Sequence, residues 1–251
     1  MKSSIWREDA KIGTGSVMEE GNTTDMRALQ LFFLASFVPT CAIAQGSGYQ
    51  GNLGGTVGIS VPTGEFADTW GKNTFTFGGQ LAFPLGRLPF QGGFAFDYGI
   101  MGKSLATVPV SDPALTATEG SLAVRAKMIS YHPLLRFSPF KGKVRPYVDG
   151  MVGMRQFTTT SKVTVEGLED PISRERNAND FAFSAGWAAG LMVGLGGIGY
   201  IEARVERFNS GKATYVDPNS IAVDAAGNIQ YNTLNSNTDA VNVLLGIGLR
   251  F

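Results

Sequence analysis

The final stretch of the chain, Ala240 to Phe251, reads A-V-N-V-L-L-G-I-G-L-R-F and constrains the fold more than any other part. Val241, Val243, Leu245, Ile247, Leu249 and Phe251 form one wholly apolar row, while Asn242, Gly246, Gly248 and Arg250 fall on the other side. Successive side chains of a strand point to opposite faces, so this period-two pattern marks a strand with a different solvent on each face. A water-soluble sheet produces the same alternation, but there the strand is rarely the last one and rarely stops on an aromatic.

Seven earlier segments repeat the pattern at the length a membrane-spanning strand requires. They are Leu53 to Val61, Thr74 to Leu85, Gly92 to Met101, Ala123 to Phe137, Val144 to Phe157, Asp180 to Leu195 and Gly199 to Phe208. In the fourth, Ile129, Tyr131, Pro133, Leu135 and Phe137 oppose Ser130, His132, Leu134 and Arg136. Pro133 and Pro146 lie near strand ends, where a missing ladder bond is best tolerated. Connections after the second, fourth and sixth segments are short: Gly86 to Gln91, Ser138 to Lys143 and Gly196 to Ile198. The others are longer and polar, the last running from about Asn209 to Asp239. Short turns on one side and long loops on the other place both ends of the barrel on the short-turn side, which requires an even strand count.

Composition narrows the setting. The chain has 251 residues, zero formal net charge, 17% charged residues and 33 glycines, which leaves no nucleic-acid footprint. No apolar run is long enough for a spanning helix, so membrane residence requires a barrel or an anchor. Met26 to Gln45 reads M-R-A-L-Q-L-F-F-L-A-S-F-V-P-T-C-A-I-A-Q: one basic residue, an apolar core from Ala28 to Val38, and small residues at Ala42 and Ala44. These are the parts of a secretory signal peptide, with cleavage expected after Ala44. The chain thus divides into residues 1–25, a polar spurious or disordered extension ahead of a start at Met26; 26–44, the signal peptide; and 45–251, the barrel. A charged extension on a membrane-anchoring helix is the alternative for the first part. Cys41, the one cysteine, sits behind Val38-Pro39-Thr40, a poor lipidation motif, and cleavage after Ala44 removes it.

In hydrocarbon an open sheet edge leaves backbone groups unpaired, so the first strand must pair with the last. The expectation is all-β: an eight-stranded antiparallel up-and-down transmembrane barrel, too narrow for an empty bore. Its inward row carries Asp97, Arg136, Asp149, Arg155, Glu202, Arg204 and Glu206, together with His132. Both signs are present and would be costly to bury unpaired, so a lumenal network of ion pairs and water is expected to plug the tube. A gated ion path along the same charges is the alternative. Outward aromatics Phe83, Phe94, Tyr131, Phe137, Trp187 and Phe251 are expected in the two interfacial girdles. Arg125 and Lys127, toward the long-loop end, face either lipopolysaccharide phosphates or water. No metal or other cofactor is expected: a lone histidine excludes the usual zinc spacings. Neither Asp217-Pro218-Asn219 nor Asp224 to Asn228 has calcium-loop spacing, and both read as hairpin turns in an exposed loop.

From about Gly51 onward the chain resembles the small outer-membrane barrels of the OmpA, OmpX and OmpW type. The resemblance rests on G-G-T-V-G-I-S-V-P-T-G-E-F at Gly54 to Phe66, V-R-P-Y-V-D-G at Val144 to Gly150, and the terminal G-I-G-L-R-F. It implies a monomer in the Gram-negative outer membrane, contacting outer-membrane lipids and lipopolysaccharide. It also implies that Leu249 and Phe251 belong to a closing-strand signal read by the barrel assembly machinery. Such barrels have many roles, and their loops decide which. The role expected here is non-catalytic, structural or surface-interacting, with an unidentified extracellular ligand held by the loops. A narrow porin-like channel for small or hydrophobic solutes is the alternative. A lipid A acyl-modifying enzyme comes third: lipid A deacylases in this class carry a His and a Ser two apart on one lipid-facing strand. Here Ser130 precedes His132 and both are expected to face inward.

Overall fold

The computed structural model describes residues 50–109, 119–165, 173–223 and 229–251. The extension and signal peptide, with Cys41, Ala42 and Ala44, and the Asp224 to Asn228 turn lie outside the described residues. Barrel strands are β1 Asn52–Pro62, β2 Thr74–Pro84, β3 Phe90–Pro109, β4 Glu119–Phe137, β5 Val144–Val165, β6 Ser173–Gly196 and β7 Gly199–Ser210. A five-residue helix, α1 Glu65–Thr69, follows β1. After β7 come β8 Lys212–Val216, β9 Ala222–Val223, β10 Ile229–Gln230 and β11 Thr233–Asn237, and then the last barrel strand, β12 Ala240–Arg250.

The eight barrel strands close in the order β1-β12-β7-β6-β5-β4-β3-β2, with every neighbour antiparallel. The seam is regular along its whole length, from Asn52 opposite Arg250 to Pro62 opposite Ala240, so neither edge is left unpaired. Register around the tube runs from Asn52 through Ala82, Gly93, Leu134, Met151, Gly186, Phe208 and Ala240, and returns to β1 at Pro62. That return is staggered by ten residues from its start, and with ordinary strand spacings it tilts the strands by about 40° around a tube of about 8 Å backbone radius.

Within the span the barrel is inside-out. Outward rows such as Leu53, Val57 and Ile59 on β1, or Val148, Val152 and Met154 on β5, are exposed and apolar. Inward rows are buried and polar or small. Gly190 shows why small residues matter there: a Cβ would overlap the Tyr147 ring. Aromatics on the outward rows pair at the short-turn rim, Phe83 with Phe251 and Phe90 with Phe137, and again farther up the wall, Phe96 with Tyr131 and Phe77 with Tyr98. Phe94 and Trp187, expected in the girdles, instead stand near mid-height once the stagger is followed.

Four strands overrun the boundaries read from the sequence. β3 continues past Met101 to Pro109, β4 begins at Glu119 before Ala123, β5 continues past Phe157 to Val165, and β6 begins at Ser173 before Asp180. The physical reason is a swap of faces. On β4, Ile129 and Tyr131 turn their apolar side outward, but above them Met128, Ala126, Val124 and Leu122 are buried inward while Lys127 and Arg125 face out. No bulge interrupts β4 against β5 in this stretch. The strand keeps its pleat while the apolar row changes sides, so a search for one continuous outward apolar row stops at the swap.

The long connection Asn209 to Asp239, expected as an exposed loop, is largely folded. β8 and β11 form a hairpin from Lys212 opposite Asn237 to Val216 opposite Thr233, and Pro218–Ser220 is a 3₁₀ turn. With α1 this hairpin fills the long-loop mouth. Phe66, Trp70, Met101, Met128, Phe157 and Tyr215 pack there, with Phe66 edge-on to Phe157 and Tyr215 at 6.1 and 5.6 Å. Farther out, Val108, Leu122, Val124, Val216 and Ile221 make a second apolar cluster. Glu65 Oε2 accepts the Asn237 amide at 3.0 Å and Asp180 Oδ2 accepts the Thr214 amide at 2.7 Å, tying helix and hairpin to the wall.

Candidate functional site: the barrel lumen

The inward residues anticipated from the sequence divide into two tiers. In the lower tier Arg136, donated by β4, aims its planar fork at Asp149 of β5, with Nε to Oδ1 at 2.7 Å and Nη2 to Oδ2 at 2.9 Å. Two parallel charge-assisted bonds make this the strongest kind of side-chain pair available. The remaining guanidinium hydrogens reach Asn52 Oδ1 at 3.0 Å and Gln80 Oε1 at 2.6 Å, and the guanidinium lies 3.7 Å from the Tyr147 ring centre. Arg204 of β7 takes the other side of Asp149 and bonds Glu206 Oε1 at 2.6 Å. Glu202 accepts from both the Tyr147 hydroxyl and Gln80 Nε2. All these groups are buried, and each charge has a partner of opposite sign or a hydrogen-bonded neutral one.

Side chains from β1, β2, β4, β5 and β7 thus meet inside the tube. Sequence reasoning counts only the charges and His132 in the network; of the neutral groups around them it places Gln80 and Tyr147 on the inward face but does not name Asn52, Gln91 and Tyr200. Asn52 Nδ2 donates to Gln91 Oε1 at 2.9 Å, extending the tier toward the short-turn mouth. The available signal was their position on the inward parity of their strands.

The upper tier is different in kind. Asp97, His132 and Arg155 are all buried there, yet none bonds another. Arg155 Nη1 donates to Thr238 O at 2.7 Å and Nε reaches Ser130 Oγ at 3.4 Å. His132 stacks on Phe208 with ring centres 4.5 Å apart, and neither of its nitrogens has a hydrogen-bond partner. Ser130 and His132 share the inward face, but Ser130 Oγ is engaged by Arg155 and no base touches it. Among the described residues no group of His, Cys, Asp and Glu has the arrangement of a metal site.

A closed barrel with an apolar exterior and a polar, filled lumen is a transmembrane β-barrel of the outer-membrane type. The protein is accordingly an integral outer-membrane barrel, with short turns on the periplasmic side and long connections outside. No family model matches the sequence, and no curated protein matches it either. Solved structures similar in architecture include Neisserial surface protein A, at 10% identity, a TM-score of 0.42, and coverage of 82% of this chain and 98% of that one. A major outer membrane protein from Thermus thermophilus matches at 12% identity and a TM-score of 0.44, covering 80% of this chain and 98% of that one. Ail, the attachment invasion locus protein of Yersinia pestis, matches at 12% identity and a TM-score of 0.34, covering 80% and 97%. At these identities no residue's role passes from them to this chain.

Proposed function

We propose that this barrel is a non-catalytic, structural and surface-interacting protein that holds lipopolysaccharide on its outer wall and presents its folded cap to an extracellular ligand. One observation carries the reading. Above the apolar belt, the outward face of β3 to β6 bears Lys103, Arg125, Lys127, Lys162 and Arg174, with no carboxylate among the described side chains of that face. Lys103 stands directly opposite Arg125, and Lys162 opposite Arg174. Like charges in register repel, so the pattern favours an anion that spans them. The headgroup level of the outer leaflet, rich in lipid A phosphates, meets the wall at that height. The fully paired charges of the lower tier favour a plugged tube over a channel.

Purified refolded protein tests this by its retention of lipopolysaccharide against salt. A triple variant, Lys103→Gln, Arg125→Gln and Lys127→Gln, is expected to lose about tenfold in affinity and much of the salt dependence. Unchanged retention would remove lipopolysaccharide as the partner of this wall. In planar bilayers the intact protein is expected to show no steady conductance.

A further inference from the structure

The short-turn mouth carries a second, separate feature. An open pocket of about 520 Å³ lies there, lined by Gln50, Lys141, Lys143, Arg145, Leu195 and Arg250 with three glycines. Four of its side chains are cations and none is a carboxylate. The periplasmic turns as a whole, Leu85 to Gln91, Phe137 to Pro146 and Leu195 to Gly199, hold Arg87, Lys141, Lys143 and Arg145 and no acid. The nearest carboxylate on the adjoining inward row, Glu202, is buried and already bonded to Tyr147 and Gln80. One oxygen of the Phe251 carboxylate accepts the Gly51 amide at 2.8 Å, in the seam, and Phe251 is not among the residues that line the pocket.

The cations are also held in place. Arg145 Nε donates to Gly142 O at 2.9 Å, and Nη2 donates to Gln50 Oε1 at 2.8 Å and Lys141 O at 3.1 Å. Arg250 lies flat over Gly194, where a Cβ would come within 2.6 Å of Nη2, and its buried Nε has no hydrogen-bond partner. Arg250 acts electrostatically on Arg145, so two guanidiniums share one mouth without an anion between them. Such an arrangement costs free energy by repulsion unless a ligand of opposite sign offsets it. Planar guanidiniums match tetrahedral oxyanions with two oxygens facing each fork. Beside the pocket the outward apolar row continues with exposed Val144, Leu195 and Leu249, which places acyl chains next to the cations.

We propose that this mouth is a phosphate-binding site, filled by the phosphodiester headgroup of an anionic phospholipid in the periplasmic leaflet. Its residues are distinct from the outer basic wall and from the lumenal tiers. The test uses native mass spectrometry of the full barrel in micelles, titrated with phosphatidylglycerol, phosphatidylcholine or inorganic phosphate. The expected result is one tightly retained phosphatidylglycerol per barrel, with about tenfold weaker retention after Arg145→Gln or Lys143→Gln and partial recovery in Arg145→Lys. Arg250→Gln sits in the closing strand and is expected to act equally if it assembles; the other two variants leave that strand untouched, and a heat-shifted gel band certifies their folding. Equal retention of phosphatidylglycerol and phosphatidylcholine, or retention unaffected in folded Arg145→Gln, would overturn the site. Inorganic phosphate binding as tightly as the lipid would overturn the lipid as its source.

Discussion

The membrane-embedded half of this barrel and the wall that rises above it are built from the same strands, yet they have opposite interiors. Inside the belt the strands turn Ile129, Tyr131, Val152 and Met154 to the outside and Arg136, Asp149 and Arg204 to the axis. Above it they turn Lys127, Arg125 and Lys162 outward and bury Val124, Leu122 and Phe157. On β4 pleat and ladder against β5 continue unchanged, while β3 and β6 carry bulges near the same height, at Ile100/Gly102 and opposite Thr159/Thr160, so the β4 backbone alone does not set which face is apolar. The solvent does: hydrocarbon rewards an apolar exterior, water an apolar core. The lower half needs an internal polar network because its core cannot be apolar without making the exterior polar. The upper half can use an ordinary hydrophobic core, and it recruits α1 and the β8–β11 hairpin to complete one.

The comparison can be broken at either interior. Asp149→Ala removes the carboxylate between Arg136 and Arg204 and leaves two buried cations facing each other; a loss of about 3–5 kcal/mol is expected in urea unfolding from lipid vesicles. Leu122→Ala, in the outer cluster, should cost about 2–4 kcal/mol. That loss should appear as faster hydrogen exchange and proteolysis of the cap, while the belt keeps its heat-shifted gel mobility. Placing arginine on the outward row sharpens the contrast. Val152→Arg, within the belt, is expected to destabilise by about 2–4 kcal/mol, but Thr160→Arg, on the same face of the same strand above it, by less than about 0.5 kcal/mol.

The smallest effect is one of pH. Burial in the cap pushes the Tyr215 hydroxyl above its usual value, and its 2.8 Å bond with Ser236 draws it partly back. Because the folded cap favours the protonated phenol, that contribution is whole below the ordinary tyrosine value of about 10 and is lost as pH rises from there through the raised value of the folded state. Cap protection should therefore weaken above that pH in the parent and less so in Tyr215→Phe.

How much of this was legible in the sequence follows from the same contrast. Parity in the belt could be read because two solvents imprint every second residue, so Arg136, Asp149, Arg204 and Glu202 were placed on the axis by alternation alone. Which of them meet could not be read. Asp149 reaches both arginines because a ten-residue stagger brings β4, β5 and β7 to one height, and stagger has no local signature. Strand ends were misplaced at Met101, Phe157 and Asp180, close to where the apolar row changes sides; on β4 the reading passed that point, at Lys127, and stopped at Ala123, short of Glu119. Hairpin turns were legible in the last connection, but not that its strands pack as a core, because Ala213, Tyr215 and Val216 are too few to mark one and the residues they pack on lie far away in sequence. Phe66 and Trp70, two aromatics in an otherwise polar connection, were the one local hint of it.

A cysteine scan along β4 from Ser121 to Phe137, in a Cys41→Ser background, tests the face swap most directly. Each site carries a fluorophore, quenched in turn by a probe confined to the hydrocarbon and by one confined to water. The expected pattern is lipid quenching at the odd positions from Ile129 to Phe137, aqueous quenching at Ser121, Ala123, Arg125 and Lys127, and protection from both at Leu122, Val124, Ala126 and Met128. Lipid quenching that continued along the odd positions to Ser121, or aqueous quenching of the even positions above Ile129, would contradict a water-facing wall around a hydrophobic core.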